Sequence, residues 1–563
     1  MSRRVTVQRA SSYAALVFIF FCIPACTSRN PVRTESTRDF DVAALVANAP
    51  VGNVARSDIG MVVSGAPLAT AVGVRVLEEG GNAVDAAVAL AFALAVVEPT
   101  QSGIGGRTQL LLRTSDGAIA AIDGTTEVPS SYRGGPGDDE DAYGYGTIAV
   151  PGTVAALTAA LRTHGTWPLA RILAPAIALA RDGFPLSAEE AARIGGARDR
   201  LLAFPASAAA FLVDSDAIAG GATFRQPDLA RTLRIIADQG EDAFYRGEIA
   251  ERIARDMAAN GGLVTREDLA RYRAEESIVV RSRYRGNEVI GSYLPASGAT
   301  VIGILEIMER FDLTAIAGSA DWVSIIAQSL LAGFADRETV MEPAAAKAAW
   351  LVSDSLADRR AAAIRTADNY RLRSGGSEQE PAHTTHVSVA DRDGNVVALT
   401  QSVGPNMGSK VVTPGLGFVY AATMEYLGEL EPGTRRHWSS QAPLLIVRDN
   451  EPVWVLGGGG ARRILSAIVE TISRSVDQGL APEAALAAPR FHPVPARLDI
   501  EMGEDASFPR TVLDSLRTMG IRIDERDSGP YFARLNAIHR SADGTWTGIA
   551  DSRWQGSAGA PRR

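Results

Sequence analysis

One peptide junction in this sequence carries the ingredients of nucleophilic chemistry. At His383-Thr384-Thr385-His386 a polar stretch, RLRSGGSEQEPAH (371–383), runs straight into a strand-like segment that opens on a threonine. If the bond between His383 and Thr384 is cut, the Thr384 hydroxyl sits beside a new α-amine. An α-amine has a pKa of about 7.7–8.0, close to working pH. It can then serve as general base for its own side chain, the N-terminal threonine form of covalent catalysis. Threonine also opens many strands for reasons of shape alone, so the junction by itself leaves a structural role open.

Such a group needs a rigid frame, and the flanking sequence supplies one. THVSVADRDGNVVALTQS reads as a hairpin around Asp393-Gly394. APLLIVRDNEPVWVLGGGG reads as a second hairpin that ends in Gly457–Gly460, and a helix from about Arg463 to Gln478 follows. Upstream, GMVVSGAP is a short strand and turn, and Pro67 to Glu79 has a helix pattern that stops at Gly80-Gly81. Asn82 caps AVDAAVALAFALAVVEP, which is apolar on every side and therefore belongs in a core. SGIGG (102–106) is a tight turn, and TQLLLR with GAIAAID is a strand pair. The chain then reads as mostly helical to about residue 275, strand-like over 277–292 and helical over 300–365. Residues 371–383 read as an exposed loop.

Taken together, GMVVSGAPLAT, EEGGNAVDAAVALAFALAVVEPTQSGIGG, AVPGTVAAL, LAPAIALARDGFPLS, TTHVSVADRDGN, SSQAP and APRFHP resemble the γ-glutamyltranspeptidase (glutathione hydrolase) family of N-terminal-nucleophile hydrolases. The resemblance runs from about Gly60 to His492. It implies an α+β fold of four layers, αββα. It also implies a precursor that cuts itself between His383 and Thr384 into a large subunit (56–383) and a small one (384–563). Thr384 matches the nucleophile, and Ser402 falls where a second hydroxyl supports it. Ser439 and Ser440 match paired substrate-contacting serines. Gly460 and Ala461 fall where two glycines supply an oxyanion hole, a role that uses backbone N–H groups. Arg462 occupies the last glycine position of a GxGxxG pattern, so the run is not a dinucleotide fingerprint.

The departures from the family pattern concern substrate. Where an arginine reads the γ-glutamyl α-carboxylate, this chain has Thr125. Where an acid holds the α-amine it has Tyr426, with Glu425 adjacent; where a glutamine stands it has Thr423, and for an asparagine, Gly404. Arg107 follows SGIGG where more glycine is usual, and the stretch from Met424 to Ser439 is short, which implies a reduced lid. Arg107, Glu425, Arg435 and Arg436 are the charges that could compensate. Three functions stay open: hydrolysis or transfer of γ-glutamyl amides, the same machinery on another acyl amide, and a non-catalytic binding lipoprotein. His386 and His492 read as structural, and Trp438 and Trp454 as packing residues near the site.

Composition narrows the rest. The 563 residues are 46% hydrophobic and 21% charged, which excludes disordered and fibrous classes. Net charge is −9, so a nucleic-acid partner is not expected. The two cysteines, Cys22 and Cys26, lie in the leader, and the six histidines show no HExxH spacing. No disulfide, thiolate nucleophile, metal or other cofactor is therefore expected. Residues 1–25 read as a signal peptide with basic Arg3, Arg4 and Arg9 and a short apolar run. Ile23-Pro24-Ala25-Cys26 resembles a lipobox, which would lipidate Cys26 and anchor an exported, periplasmic protein to a membrane. Residues 26–55 read as a tether.

Overall fold

The strands that flank Thr384 leave solvent along almost their whole length: every residue of Val396–Gly404 is buried, as is every residue of His383–Ala390 except the first. Strands buried on both faces need a covering layer on each side. The computed structural model, which describes residues 40–133, 143–340, 344–366, 383–424, 435–494, 496–504 and 506–563, shows what those layers are.

Two seven-stranded antiparallel sheets lie face to face, and their strands are numbered here in chain order. The nucleophile sheet has the spatial order β14 (Ser557–Gly559), β2 (Met61–Ser64), β8 (His383–Ala390), β9 (Val396–Gly404), β3 (Arg107–Arg113), β4 (Ile119–Gly124) and β5 (Glu275–Glu276). The second sheet runs β1 (Val54–Ser57), β13 (Trp546–Ala550), β12 (Arg534–Arg540), β11 (Glu451–Gly459), β10 (Leu444–Arg448), β7 (Asn287–Ser292) and β6 (Val279–Tyr284).

Side-chain alternation assigns each face its core. Val387, Val389, Val397 and Leu399 pack with the helices of the first half of the chain, including Ala83–Val97. Ala390, Val396, Ala398, Leu445, Val455 and Ile538 form the core between the sheets. Leu444, Ile446, Leu456 and Leu535 pack under a second helical layer that includes Gly298–Met308, Ala320–Glu338 and Arg463–Val476. The four-layer αββα arrangement expected from the sequence is therefore the one observed. Thr384, His386 and Ser388 are in phase with one another on the face that looks toward the second sheet.

The helix Ala83–Val97 is buried at every position, as its unbroken apolar sequence requires. Asn82 and Asp85 form a capping box at its start. One expectation is corrected. Within the expected tether 26–55, Val42–Ala47 is a helix capped by Asp41, with Val42 and Leu45 in the core, and Val54–Ser57 pairs with β13, so this part of it is folded onto the body. Its apolar VAALVA sequence has surface to bury, which a solvated linker lacks. The expected loop 371–383, apart from His383, and the leader with Cys26 lie outside the described residues. No described helix is long and apolar enough to cross a membrane.

Candidate active site

Thr384 enters the site through a break in the β-ladder. Thr384 pairs with Ser402 but His383 pairs with Gly404, so Val403 has no counterpart on β8 and the register shifts at the His383–Thr384 link. A bulge of this kind re-aims side chains and is common beside active sites. Here it brings three groups together. The Thr384 hydroxyl donates to Ser402 Oγ at 3.0 Å, and Ser402 Oγ donates to the His383 carbonyl oxygen at 2.8 Å. The Gly404 amide donates to the same Ser402 oxygen at 3.0 Å. Ser402 is 1% exposed and Thr384 5%, so both hydroxyls work out of bulk water.

The second sheet closes on this point through the glycine run. A Cβ on Gly459 would lie 2.0 Å from the Thr384 carbonyl oxygen, and one on Gly457 would lie 2.4 Å from the His386 ring. Gly457, Gly458 and Gly459 are strand residues of β11, so the run serves close approach between sheets more than flexibility. The chain then turns through Gly460 at φ 135° and Ala461 at φ 53° into the helix Arg463–Val476. A non-glycine residue in the left-handed region carries strain, which persists where the surroundings enforce it. Ala461 thus keeps the backbone conformation that a glycine would adopt there.

Ser439, with Ser440 next to it in sequence, is tied to the same end of the sheets. The Ser439 amide donates to Pro295 O at 2.7 Å, and Ser297 Oγ donates to Ser439 O at 2.6 Å. Gln441, adjacent in sequence, donates to Thr400 O on β9 at 2.8 Å, so this corner is tied to the strand that carries Ser402. Arg337 donates to Ser297 at 3.0 Å and lies 3.9 Å from the Trp438 ring centroid. Trp438 is therefore held as a wall beside the serines, while Trp454 is a core residue of the second sheet.

The histidines are braces. His386 Nδ1 meets Thr400 Oγ1 at 2.7 Å and Nε2 meets Ser388 Oγ at 3.2 Å. Burial pushes its pKa down to about 3. His492 pairs with Ser466 and is likewise held neutral by burial.

Behind the nucleophile lies a buried charge cluster that sequence reading did not anticipate. Arg534 Nη2 reaches the Thr384 carbonyl at 3.4 Å, and Arg534 and Arg193 each lie 3.7 Å from the Trp554 ring centroid. Burial raises the pKa of Glu98, whose carboxylate is stabilised by Arg193, the Thr385 hydroxyl, Arg534 and Trp554. Burial likewise lifts Glu190 to about 7. Glu98 belongs to the VVEP motif quoted above, but its partners come from positions 193, 385, 534 and 554, so spacing gave no signal.

Of the expected substrate positions, Thr125 accepts from Gln109 Nε2 at 2.7 Å, and Thr423 meets Thr126 at 3.0 Å. Arg436 donates to Asp123 at 2.6 Å, and Arg435 donates to Glu127 at 2.8 Å and Glu275 at 3.2 Å. These two cations are thus paired with acids. Glu425, Tyr426 and the short segment after Met424 lie outside the described residues.

Comparison with known proteins matches this architecture. The γ-glutamyltranspeptidase family pattern covers residues 69–560. The chain belongs to that family. It is 34% identical to the glutathione hydrolase proenzyme of Escherichia coli (strain K12) over 537 residues, 88% of this chain and 91% of that protein. It is 35% identical over 524 residues to the acylase ACY 1 proenzyme of Pseudomonas sp. (strain V22), covering 88% and 93%. The crystal structure of cephalosporin acylase from Bacillus halodurans superposes with a TM-score of 0.82 at 28% identity, covering 91% of this chain and 97% of that one. The protein is accordingly a self-processing N-terminal-nucleophile amidohydrolase of the γ-glutamyltransferase type.

Proposed function

We propose that Thr384 is both the agent of maturation and the catalytic nucleophile. The observation that carries this reading is the hydrogen-bonded chain from Thr384 Oγ1 through Ser402 to the His383 carbonyl. As Thr384 Oγ1 attacks that carbonyl carbon, its proton passes to Ser402 while the Ser402 proton moves onto the carbonyl oxygen. The C–N bond then breaks, the Thr384 nitrogen takes the proton as an amine, and an ester links His383 to the Thr384 oxygen. Water hydrolyses that ester. A large subunit ending at His383 and a small subunit 384–563 remain packed through the β8–β2 and β9–β3 ladders.

In the mature enzyme the Thr384 α-amine serves as base for its own hydroxyl. The hydroxyl attacks a substrate amide, the amine leaves with the proton, and the acyl-enzyme passes to water or another amine. The amides of Gly460 and Ala461 stabilise the oxyanion, and Ser439 and Ser440 contact the acyl group. The substrate is a γ-glutamyl amide such as glutathione, a reading supported by the glutathione hydrolase relative. A second reading, a different acyl group, is favoured by Thr125, a neutral side chain already bonded to Gln109. We further propose export to the periplasm and anchoring through lipidated Cys26. The test pairs γ-glutamyl and simple acyl anilides on purified wild-type enzyme and Thr384→Ala. Turnover by wild type with none by Thr384→Ala is expected, and turnover by both refutes the assignment.

A further inference from the structure

The β-ladder sets Arg107 in the nucleophile's own row. Thr384 pairs with Ser402, and Ser402 pairs with Arg107 on the next strand. One step further, Thr108 pairs with Gly124, so Arg107 stands beside Thr125. Residues paired across neighbouring strands share a face. Thr384 and Ser402 touch through their side chains, so the Arg107 side chain leaves the sheet on that same inward face. Gln109, two residues on, confirms the phase by donating to Thr125 Oγ1. Arg107 also sits close enough to His437 for its charge to help hold that ring neutral, and His437 leads into Trp438, Ser439 and Ser440.

The geometry has a length scale. Strands lie about 4.8 Å apart, so the Cα atoms of Thr384 and Arg107 are about 10 Å apart, two strands across. An acyl chain of about five carbons, started at Thr384 Oγ1 and lying along the row, reaches toward the position of Arg107 two strands away. Arg107 is half-buried, where a charge-assisted bond is worth more than at an open surface.

We propose that Arg107 determines acyl specificity by binding a carboxylate carried at the far end of the substrate's acyl chain. This rests on Thr384 being the nucleophile. The chemistry is common to a γ-glutamyl group and to a plain diacid half-amide such as glutaryl, which has the carboxylate but lacks the α-ammonium.

The experiment measures kcat/KM of matured wild type, Arg107→Gln and Arg107→Lys on γ-glutamyl, glutaryl and pentanoyl p-nitroanilides. Wild type should prefer an anionic acyl group over pentanoyl. The Arg107→Gln change should shrink that preference by roughly 10- to 150-fold, the range for losing a hydrogen bond between charged groups. Lysine should restore part of it. Which of the two anionic substrates wild type prefers tells whether an α-ammonium is also read. Wild type that handles pentanoyl as well as both anionic substrates overturns the proposal without any variant. An unchanged preference in Arg107→Gln overturns it too. Either result leaves the nucleophile standing if Thr384→Ala remains uncut and inactive, whereas activity in Thr384→Ala removes that foundation instead.

Discussion

Replacing Ser402 by alanine isolates the relay at the cleavage point. The side chain is small and buried, so the change removes one oxygen and little volume. That oxygen joins three groups: it accepts from Thr384 Oγ1 and the Gly404 amide and donates to the His383 carbonyl. Losing a donor aimed at a developing oxyanion typically slows a reaction by about 10²–10³-fold. The variant also strands the buried Gly404 amide, which costs about 1–3 kcal/mol of stability. Purified uncut precursor, followed by denaturing electrophoresis over time, should therefore mature about 10²–10³-fold more slowly in Ser402→Ala. Ser402→Thr keeps the hydroxyl and should mature within about tenfold of wild type. Circular dichroism and a urea melt show that the slow variant is folded. A folded Ser402→Ala precursor that matures at the wild-type rate refutes the relay.

Further outcomes follow from the same geometry. Ala461→Gly should stabilise the fold by about 0.5–1 kcal/mol in urea, because φ 53° strains alanine and not glycine; a loss of stability contradicts this. Gly459→Ala places a methyl 2.0 Å from the Thr384 carbonyl and should destabilise by about 1–3 kcal/mol and block maturation, read by urea melt and electrophoresis. His386 and His437 are held neutral, with pKa values near 3 and 4, while an unfolded histidine titrates near 6.5. Their contribution is full above about pH 6.5 and drains as pH falls toward 4 for His437 and toward 3 for His386, so urea midpoints should fall over that window. The His386→Gln variant should show a shallower fall, by up to about 1.4 kcal/mol per pH unit, and an identical slope counts against the burial argument.

Much of the architecture was legible because it is written in local patterns. The unbroken apolar run at 83–97, the alternating strands around Asp393-Gly394 and the Gly457–Gly460 run each announce one element. The site was legible where motif and element coincide, as at Thr384 and Ser402, which face each other across one hairpin. What escaped depends on pairing between distant segments. The register shift at His383–Thr384 is a property of two strands together, and no single-strand pattern encodes it. The cluster of Glu98, Arg193, Arg534 and Trp554 draws its members from widely separated parts of the chain. Residues 40–55 read as part of a tether because the polar run TSRNPVRTESTRDF precedes them, yet the short apolar VAALVA within them has surface to bury and forms a helix.

The central claim is that the His383–Thr384 bond is opened by its own neighbour. Intact-mass measurement with N-terminal sequencing of purified enzyme tests it most directly. The account predicts a chain ending at His383 and a second beginning at Thr384 with a free amine, neither of which forms in Thr384→Ala. Folded, active enzyme made of one uncut chain, or a second chain that begins at any other residue, would contradict it.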